Sequence, residues 1–352
     1  MNNVNLKLVR DKMSQNDEIV KDLFSERITP STNLPPMEPL FEMFGVPCFY
    51  RGELVADCGK AKSGKTTFLS ILMAGAMKEQ LLELKRLSDV PLKVLWIDTE
   101  QSQQSTQEIM KERIMPLAEV ESLDDTRFYA FNLRGLGYEK RGKMVELAIN
   151  QVEPDICILD GVKDLMTDIN DATQATRIME NLMALAKENC CCIVCVLHQN
   201  KAEQDRNMRG SIGTELTNKA FEVFQCEVIE ENDTFKVSHT YSRKKKMSRK
   251  LYYRLNEAGL PVEVGDYHEK PRDAQGRFTC DLRGMFTKAM EGKTVRKFGE
   301  VMAVALKKCG VADSSTYYAY LQQAEEQGII RKQVNAETGV TWIELIDNEI
   351  PF

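Results

Sequence analysis

The stretch "DCGKAKSGKTTFLSILMAGA", residues 57–76, restricts what this chain can fold into more than any other part of it. Gly59, Lys60, Ala61, Lys62, Ser63, Gly64, Lys65 and Thr66 satisfy the pattern G-x-x-x-x-G-K-[ST], with an apolar strand pattern before it and a helical pattern after it. The two glycines let the backbone curl so that its N–H groups face a phosphate, and the helix N-terminus adds the positive end of its dipole. In such a loop Lys65 is expected to reach the β- and γ-phosphates of ATP, and the Thr66 hydroxyl to bind Mg²⁺. Thr67 completes the nucleotide-binding candidates.

A phosphate loop needs a sheet to hold it, and the flanking sequence supplies one. "GELVADCG", "KVLWIDTE", "RFYAFNL", "DICILDG" and "CCIVCVLHQ" read as strands. "TTFLSILMAGAMKEQ", "RGKMVELAINQVEP" and "ATRIMENLMALAKEN" read as helices between them. Continuous apolar strands alternating with helices predict an α/β fold, with a mostly parallel sheet covered on both faces. "FEVFQCEVIEENDTFKVSHTYSRKKK" reads as later antiparallel strands that extend the sheet. Residues 5–25 read as an amphipathic helix, docked either on its own domain or on a neighbouring subunit. Four prolines in "ITPSTNLPPMEP" then mark an extended linker. With the polar break "EKPRDAQGRF", the expected organisation is an N-terminal helix and linker (1–40), an ATPase domain (41–268) and a small C-terminal domain (269–352).

Composition excludes some classes. A net charge of −6 rules out a chain coated in positive charge, so any nucleic-acid contact must come from local patches. No apolar run reaches transmembrane length and no signal-peptide pattern opens the chain, so a soluble cytoplasmic protein without a membrane contact is expected. The ten cysteines form no pair of Cys-x-x-Cys knuckles. Cys190, Cys191, Cys192 and Cys195 lie in an apolar run and are expected as small core residues of a buried strand.

The acids carry the chemistry. Asp160 ends the apolar "DICILD" and is the expected second holder of Mg²⁺; the alternative is a helix-capping Asp. Gly161 follows it, so no glutamate stands beside that Asp. A hydrolase still needs a carboxylate to orient and deprotonate the attacking water. Glu100, in "VLWIDTEQS", is the candidate base, with an exposed loop acid as the alternative. Asp98 is expected to point away from the crevice.

"GELVADCGKAKSGKT…VLWIDTEQS…DICILDGVKDL…CVLHQNK…RGSIGTEL" resembles the RepA-like hexameric helicases, within the RecA-like ATPases that include KaiC-like, DnaB-like and RadA-like proteins. The resemblance covers about residues 40–260 and implies a RecA-like P-loop core. It implies that His198 senses the γ-phosphate and links it to a nucleic-acid loop in "NKAEQDRNMRG", part of a pore-facing stretch of about 200–213. That loop offers Lys, Arg, Asn and Gln for phosphate and sugar contacts but no aromatic for stacking. It implies that Arg209 stabilises charge on a neighbour's nucleotide. Arg243 or Lys244, in the basic run "YSRKKKMSRK", is the other candidate finger; a solvated hairpin or a nonspecific DNA contact is the plainer reading of that run. A finger that reaches a neighbour makes the site shared, so a hexamer or similar ring, or a filament, follows.

The C-terminal segment reads as three helices and a hairpin turning near Glu337–Gly339, which resembles a winged helix. Ser314 and Ser315 are cap candidates for the third helix, which would expose some of Tyr317, Tyr318, Tyr320, Gln322 and Gln323. Residues 270–352 hold twelve Lys/Arg against eleven Asp/Glu, so duplex DNA and a protein partner are both open. For the whole chain three readings follow: a RepA-like replicative DNA helicase working on single-stranded DNA, of the kind found in bacterial mobile elements and plasmids; a RecA/RadA-like recombination ATPase; and a KaiC-like ATP-dependent switch. A small-molecule kinase is the fourth and has no acceptor-pocket or lid signature.

Overall fold

The computed structural model describes residues 17–200, 205, 207–229, 233–264, 281–311, 313–335 and 339–346. The chain divides into two compact units, Met1–Gly265 and Asp266–Phe352.

In the first unit residues 17–25 are helical and expose Ile19, Val20, Leu23 and Phe24; the rest of the expected N-terminal helix lies outside the described residues. Two antiparallel strands follow, β1 (Pro39–Met43) and β2 (Val46–Tyr50). The strand β3 (Leu54–Gly59) is buried along its whole length and delivers the chain to the phosphate loop. Helix α1 (Lys65–Met77) starts there. It is apolar on nearly every side because it is covered twice. One cover is the main sheet; the other is a small sheet in the order β2-β1-β5-β4, whose last members are β4 (Gln80–Leu81) and β5 (Leu84–Arg86). These short strands carry too little periodicity to be legible in the sequence.

Strand β6 (Val94–Asp98) leads into a helical run, α2, built from Gln103–Ile109, a π-helical turn Met110–Ile114 and Met115–Ala118. The main sheet continues with β7 (Phe128–Asn132), helix α3 (Tyr138–Val152), β8 (Ile156–Asp160), helix α4 (Ala172–Glu188) and β9 (Cys192–His198). Helix α5 (Gly210–Lys219) crosses back to β10 (Glu222–Ile229), and β11 (Thr234–Ser242), β12 (Leu251–Leu255) and β13 (Pro261–Glu263) complete the edge. The order is β13-β12-β11-β10-β3-β9-β8-β6-β7, parallel from β10 through β7. This is the expected doubly covered α/β sheet, with two corrections. The stretch "RGSIGTEL", to which the sequence reading assigned no helix, is mostly helix, and that crossover makes β10 parallel to β3; only β11–β13 are antiparallel to all their neighbours in this sheet.

Alternation along the buried strands feeds two cores. Val55, Val94 and Trp96 face α1; Ala56, Leu95 and Ile97 face α3, α4 and α5. Cys191, Cys192 and Cys195 are buried as expected, but Cys190 is exposed, because it occupies the left-handed turn (φ 47°) between α4 and β9. No helix among the described residues is long and apolar enough to cross a membrane.

The second unit holds α6 (Leu282–Met290), β14 (Val295–Lys297), α7 (Phe298–Lys308), α8 (Ser314–Glu326), β15 (Ile330–Val334) and β16 (Thr341–Leu345). It has the expected three helices and hairpin, and Val295–Lys297 adds a third strand, paired with β16, in a sheet of order β14-β16-β15. Asp313, not a serine, caps α8 by accepting the Thr316 N–H at 2.8 Å. Tyr317 is fully buried against Phe286 and Phe298, which leaves Tyr318, Gln322 and Gln323 on the outside. The polar break at 269–278 and most of the hairpin turn lie outside the described residues.

One aromatic column ties the small sheet to the main one: Phe49 stacks on Phe224 at 4.7 Å, and Phe224 stacks on His239 at 4.7 Å. Phe224→Ala removes the middle ring and leaves a cavity, so a loss of about 3–5 kcal/mol is expected. Denaturant unfolding checks it: the midpoint should fall with the slope unchanged.

Candidate functional site

The register of four strands builds the site. Gly59 lies opposite His198, and Asp98 lies opposite Asp160, so the carboxyl ends of β3, β9, β8 and β6 open on one crevice. The cleft there holds about 640 Å³. The phosphate loop lines it from Ala61 to Thr67, with Glu100, Asp160 and His198. Two backbone positions give the loop its curl, Lys62 (φ 61°) and Gly64 (φ 90°). A side chain at Gly64 would also meet Phe235 at 2.6 Å and the Tyr253 hydroxyl at 2.9 Å. The Tyr253 hydroxyl donates to the Gly64 carbonyl oxygen at 3.2 Å, which braces the loop from outside.

Lys65 donates to the loop's own carbonyls, Lys60 O at 2.9 Å and Gly59 O at 3.3 Å, and lies 3.2 Å from His198 Nδ1. An ammonium has only donors, so Nδ1 accepts and the ring proton sits on Nε2. That nitrogen faces Glu100 Oε1 at 3.6 Å. Lys163 Nζ, on the turn after β8, reaches the same oxygen at 2.7 Å. The His198 imidazole and the Lys163 ammonium together outweigh burial and hold the Glu100 carboxyl down at about 2; Lys163 is the closer partner.

Asp160 is held the opposite way. Burial, then the neighbouring Glu100, Asp98 and Asp57, push its carboxyl up to about 8. A buried acid surrounded by acids is a donor set that a cation would complete. No group of three or more metal-ligating His, Cys, Asp or Glu side chains exists among the described residues. Thr66 and Asp160 both line the cleft, and their hydroxyl and carboxylate are oxygen donors of the kind Mg²⁺ would take together with phosphate and water oxygens.

Gly161 occupies the place next to Asp160 because a Cβ there would stand 3.2 Å from Glu100 Oε1 and 3.3 Å from the Val196 carbonyl. Glu100 reaches the same cleft from just past the end of the adjacent strand. Asp98 does not line the cleft, as expected. Its carboxylate accepts the N–H groups of Glu100 and Gln101, both at 3.0 Å, and the Thr106 hydroxyl at 2.7 Å, so it folds the turn that presents Glu100. The strand stops at Asp98, which is why alternation fails to place Glu100.

Several partners were not legible in the sequence. Thr99 ties the two acid-bearing strands: its hydroxyl accepts the Gly161 N–H at 2.8 Å and donates to Asp164 at 2.7 Å. Ile109, Glu112, Arg113, Phe235 and Gly259 line the outer cleft. Arg113 has a motif-free context on α2; only the burial of its helix brings it inward. Asp57, on β3, is fully buried behind Lys65, and its Oδ2 has no partner among the described residues. Burial pushes its carboxyl up to about 7, against the Cys226 thiol that donates to Oδ1 at 3.2 Å.

The finger candidates do not line the cleft of their own chain. Arg209 caps α5; its N–H donates to the His198 carbonyl at 3.0 Å, and its side chain lines a second cavity with Lys163, Asn170 and His198. Arg243 donates to the carbonyl oxygens of Asn218 (3.0 Å) and Lys219 (3.4 Å) at the end of α5. Lys244 lies over the Tyr50 ring. Residues 201–204 and 206 of the expected pore loop lie outside the described residues.

The Asp57 carboxyl gives a pH test. Between about pH 4, where an unfolded Asp titrates, and about pH 7, where the buried one does, the folded chain keeps a proton that the unfolded chain has lost. Native stability therefore falls as pH rises through that window. Asp57→Asn removes the effect, so its melting temperature should gain on the wild type from pH 5 to pH 8. Melts across that range check this, and a pH-independent gap would mean Asp57 is ionised throughout.

Residues 32–204 match the family model described as an AAA domain (AAA_25). No curated protein matches the chain. Among solved structures, a KaiC-like protein from the hyperthermophilic archaeon Pyrococcus horikoshii OT3 is similar, with 11% identity, a TM-score of 0.46, and coverage of 61% of this chain and 91% of that one. The phosphate loop, Glu100, Asp160 and His198 all lie within the stretch that is similar to this AAA domain family.

Proposed function

We propose that this chain is a nucleic-acid-coupled ATPase, a RepA-like replicative DNA helicase that works as a ring on single-stranded DNA. The reading rests on one connection. His198 touches Lys65 with one nitrogen and faces Glu100 with the other, while its carbonyl holds Arg209 at the foot of the loop 200–209. A change at the phosphate end of β9 is thereby transmitted to that loop.

ATP would enter the cleft with its phosphates on the loop N–H groups and the α1 N-terminus. Lys65 would exchange its two carbonyl partners for β- and γ-phosphate oxygens. Thr66 and Asp160 would hold Mg²⁺, which would supply positive charge against the charge developing on the transferred phosphoryl group. Glu100 orients the attacking water and takes its proton. His198 loses the Lys65 contact when phosphate claims the ammonium, and its movement shifts the loop. Arg209 or Arg243 of a neighbouring subunit would complete the charge, which makes the ring a requirement of the chemistry. The C-terminal unit would add a duplex-DNA or protein contact through the exposed Tyr318, Gln322 and Gln323 face of α8.

ATP hydrolysis with and without oligo(dT), together with ATP-dependent unwinding of a forked duplex, tests this. Stimulation and unwinding are expected in the wild type. Glu100→Gln should lose about 10²–10⁴-fold in rate, and Lys65→Ala should lose nucleotide binding as well. Strand pairing without unwinding would point to a RecA/RadA-like recombination ATPase. Hydrolysis indifferent to DNA, with assembly that follows nucleotide, would point to a KaiC-like switch.

A further inference from the structure

The ion pair between Lys163 and Glu100 is out of place in a site ready to hydrolyse. Glu100 Oε1 faces an ammonium at 2.7 Å and an imidazole at 3.6 Å. An oxygen so occupied is a poor acceptor for a water proton, and the water would have to compete with Lys163 for it.

Lys163 is also positioned to leave. Its turn, Val162–Leu165, is fixed by three anchors. Val162 is fully buried, the Thr99 hydroxyl bonds Asp164 Oδ2 at 2.7 Å, and Arg141 bonds the Asp164 carbonyl at 3.1 Å. The backbone therefore stays while the four-carbon stem swings. On the side away from the phosphate loop, Lys163 lines a cavity of about 460 Å³ with Thr167, Asp168, Asn170, His198 and Arg209. Among the described residues, Lys163 and Arg209 are the cations that face that space. The Arg209 guanidinium is exposed and has no hydrogen bond or ion pair among the described residues. Asp168 is the one acid among the described residues that line it, and it accepts the Asn170 N–H at 2.9 Å within its own loop.

We propose that Lys163 is a positioning residue that latches Glu100, and that a phosphodiester of single-stranded nucleic acid, bound in the cavity beside Arg209, draws the Lys163 ammonium away and frees Glu100 for water. The ammonium has one stem and two competing anions, Glu100 on one side and a strand phosphate on the other. Binding of the strand switches hydrolysis on because both anions share this cation. The inference rests on the nucleic-acid-coupled reading above, and it adds how the coupling is made.

The full-length protein tests it through steady-state ATP hydrolysis with and without oligo(dT). Lys163→Met keeps the stem and removes the charge. It is expected to raise the DNA-free rate several-fold and to bring the stimulation by oligo(dT) close to none. Lys163→Arg should restore a low DNA-free rate, and the double variant Lys163→Met/Glu100→Gln should be inactive, which shows that the released activity runs through Glu100. Damage to the fold would lower the DNA-free rate rather than raise it; Lys163→Gln supplies a second charge removal. A DNA-free rate at or below wild type in both neutral variants, with stimulation intact, would overturn the latch. A wild type indifferent to oligo(dT) alongside a raised Lys163→Met rate would instead sink the nucleic-acid reading and its strand phosphate, and leave the Lys163–Glu100 pair as the brake.

Discussion

The strand register at the carboxyl edge of the main sheet is the constraint on which the rest depends. Parallel pairing puts Gly59 beside His198 and Asp98 beside Asp160, and each strand end supplies one part of the chemistry. The register is set by burial on both faces, since a one-residue slip would exchange the Trp96 face for the Leu95 face and break both cores. Core packing and site geometry are therefore one requirement. The small sheet over α1 belongs to the same requirement, because an apolar helix beginning at Lys65 needs a cover on the side away from the main sheet.

The charges at the site are arranged as a chain rather than a cluster. Lys65, His198, Glu100 and Lys163 alternate in role along one line of contacts, and Asp160 stands beside it with its charge suppressed. In the proposed function, a polyanion at the phosphate loop would pull on one end of this line, through Lys65. The cavity beside Arg209 opens on the other end, through Lys163. Glu100 lies between them, which makes it responsive to both sides.

The legible parts of the molecule were those whose signal is local. The phosphate loop could be read because its glycines, lysine and hydroxyl act within a few residues of one another. Glu100 and Asp160 both line the cleft as expected, Asp160 because it ends a buried strand and Glu100 because it follows one by two residues. Lys163 could not be read, since its partner is 63 positions away in the sequence and nothing in "DGVKDL" marks it. Helix α5 was hidden by Gly210, Ser211 and Gly213 in its first turns, and the error propagated to the direction of β10. Helix α2 was hidden by the polar "QSQQSTQE", and with it Arg113 on the outer cleft.

The most direct measurement is a crystal structure of the Glu100→Gln protein with Mg²⁺ and ATP. The account expects intact ATP with Lys65 on its phosphates, released from the carbonyls of Gly59 and Lys60 and from His198, and Mg²⁺ held by Thr66 and Asp160. ATP found already hydrolysed, or bound with Lys65 still on its own loop, would contradict the assignment of Glu100 and Lys65 and with it the chain of contacts that links nucleotide to the rest of the protein.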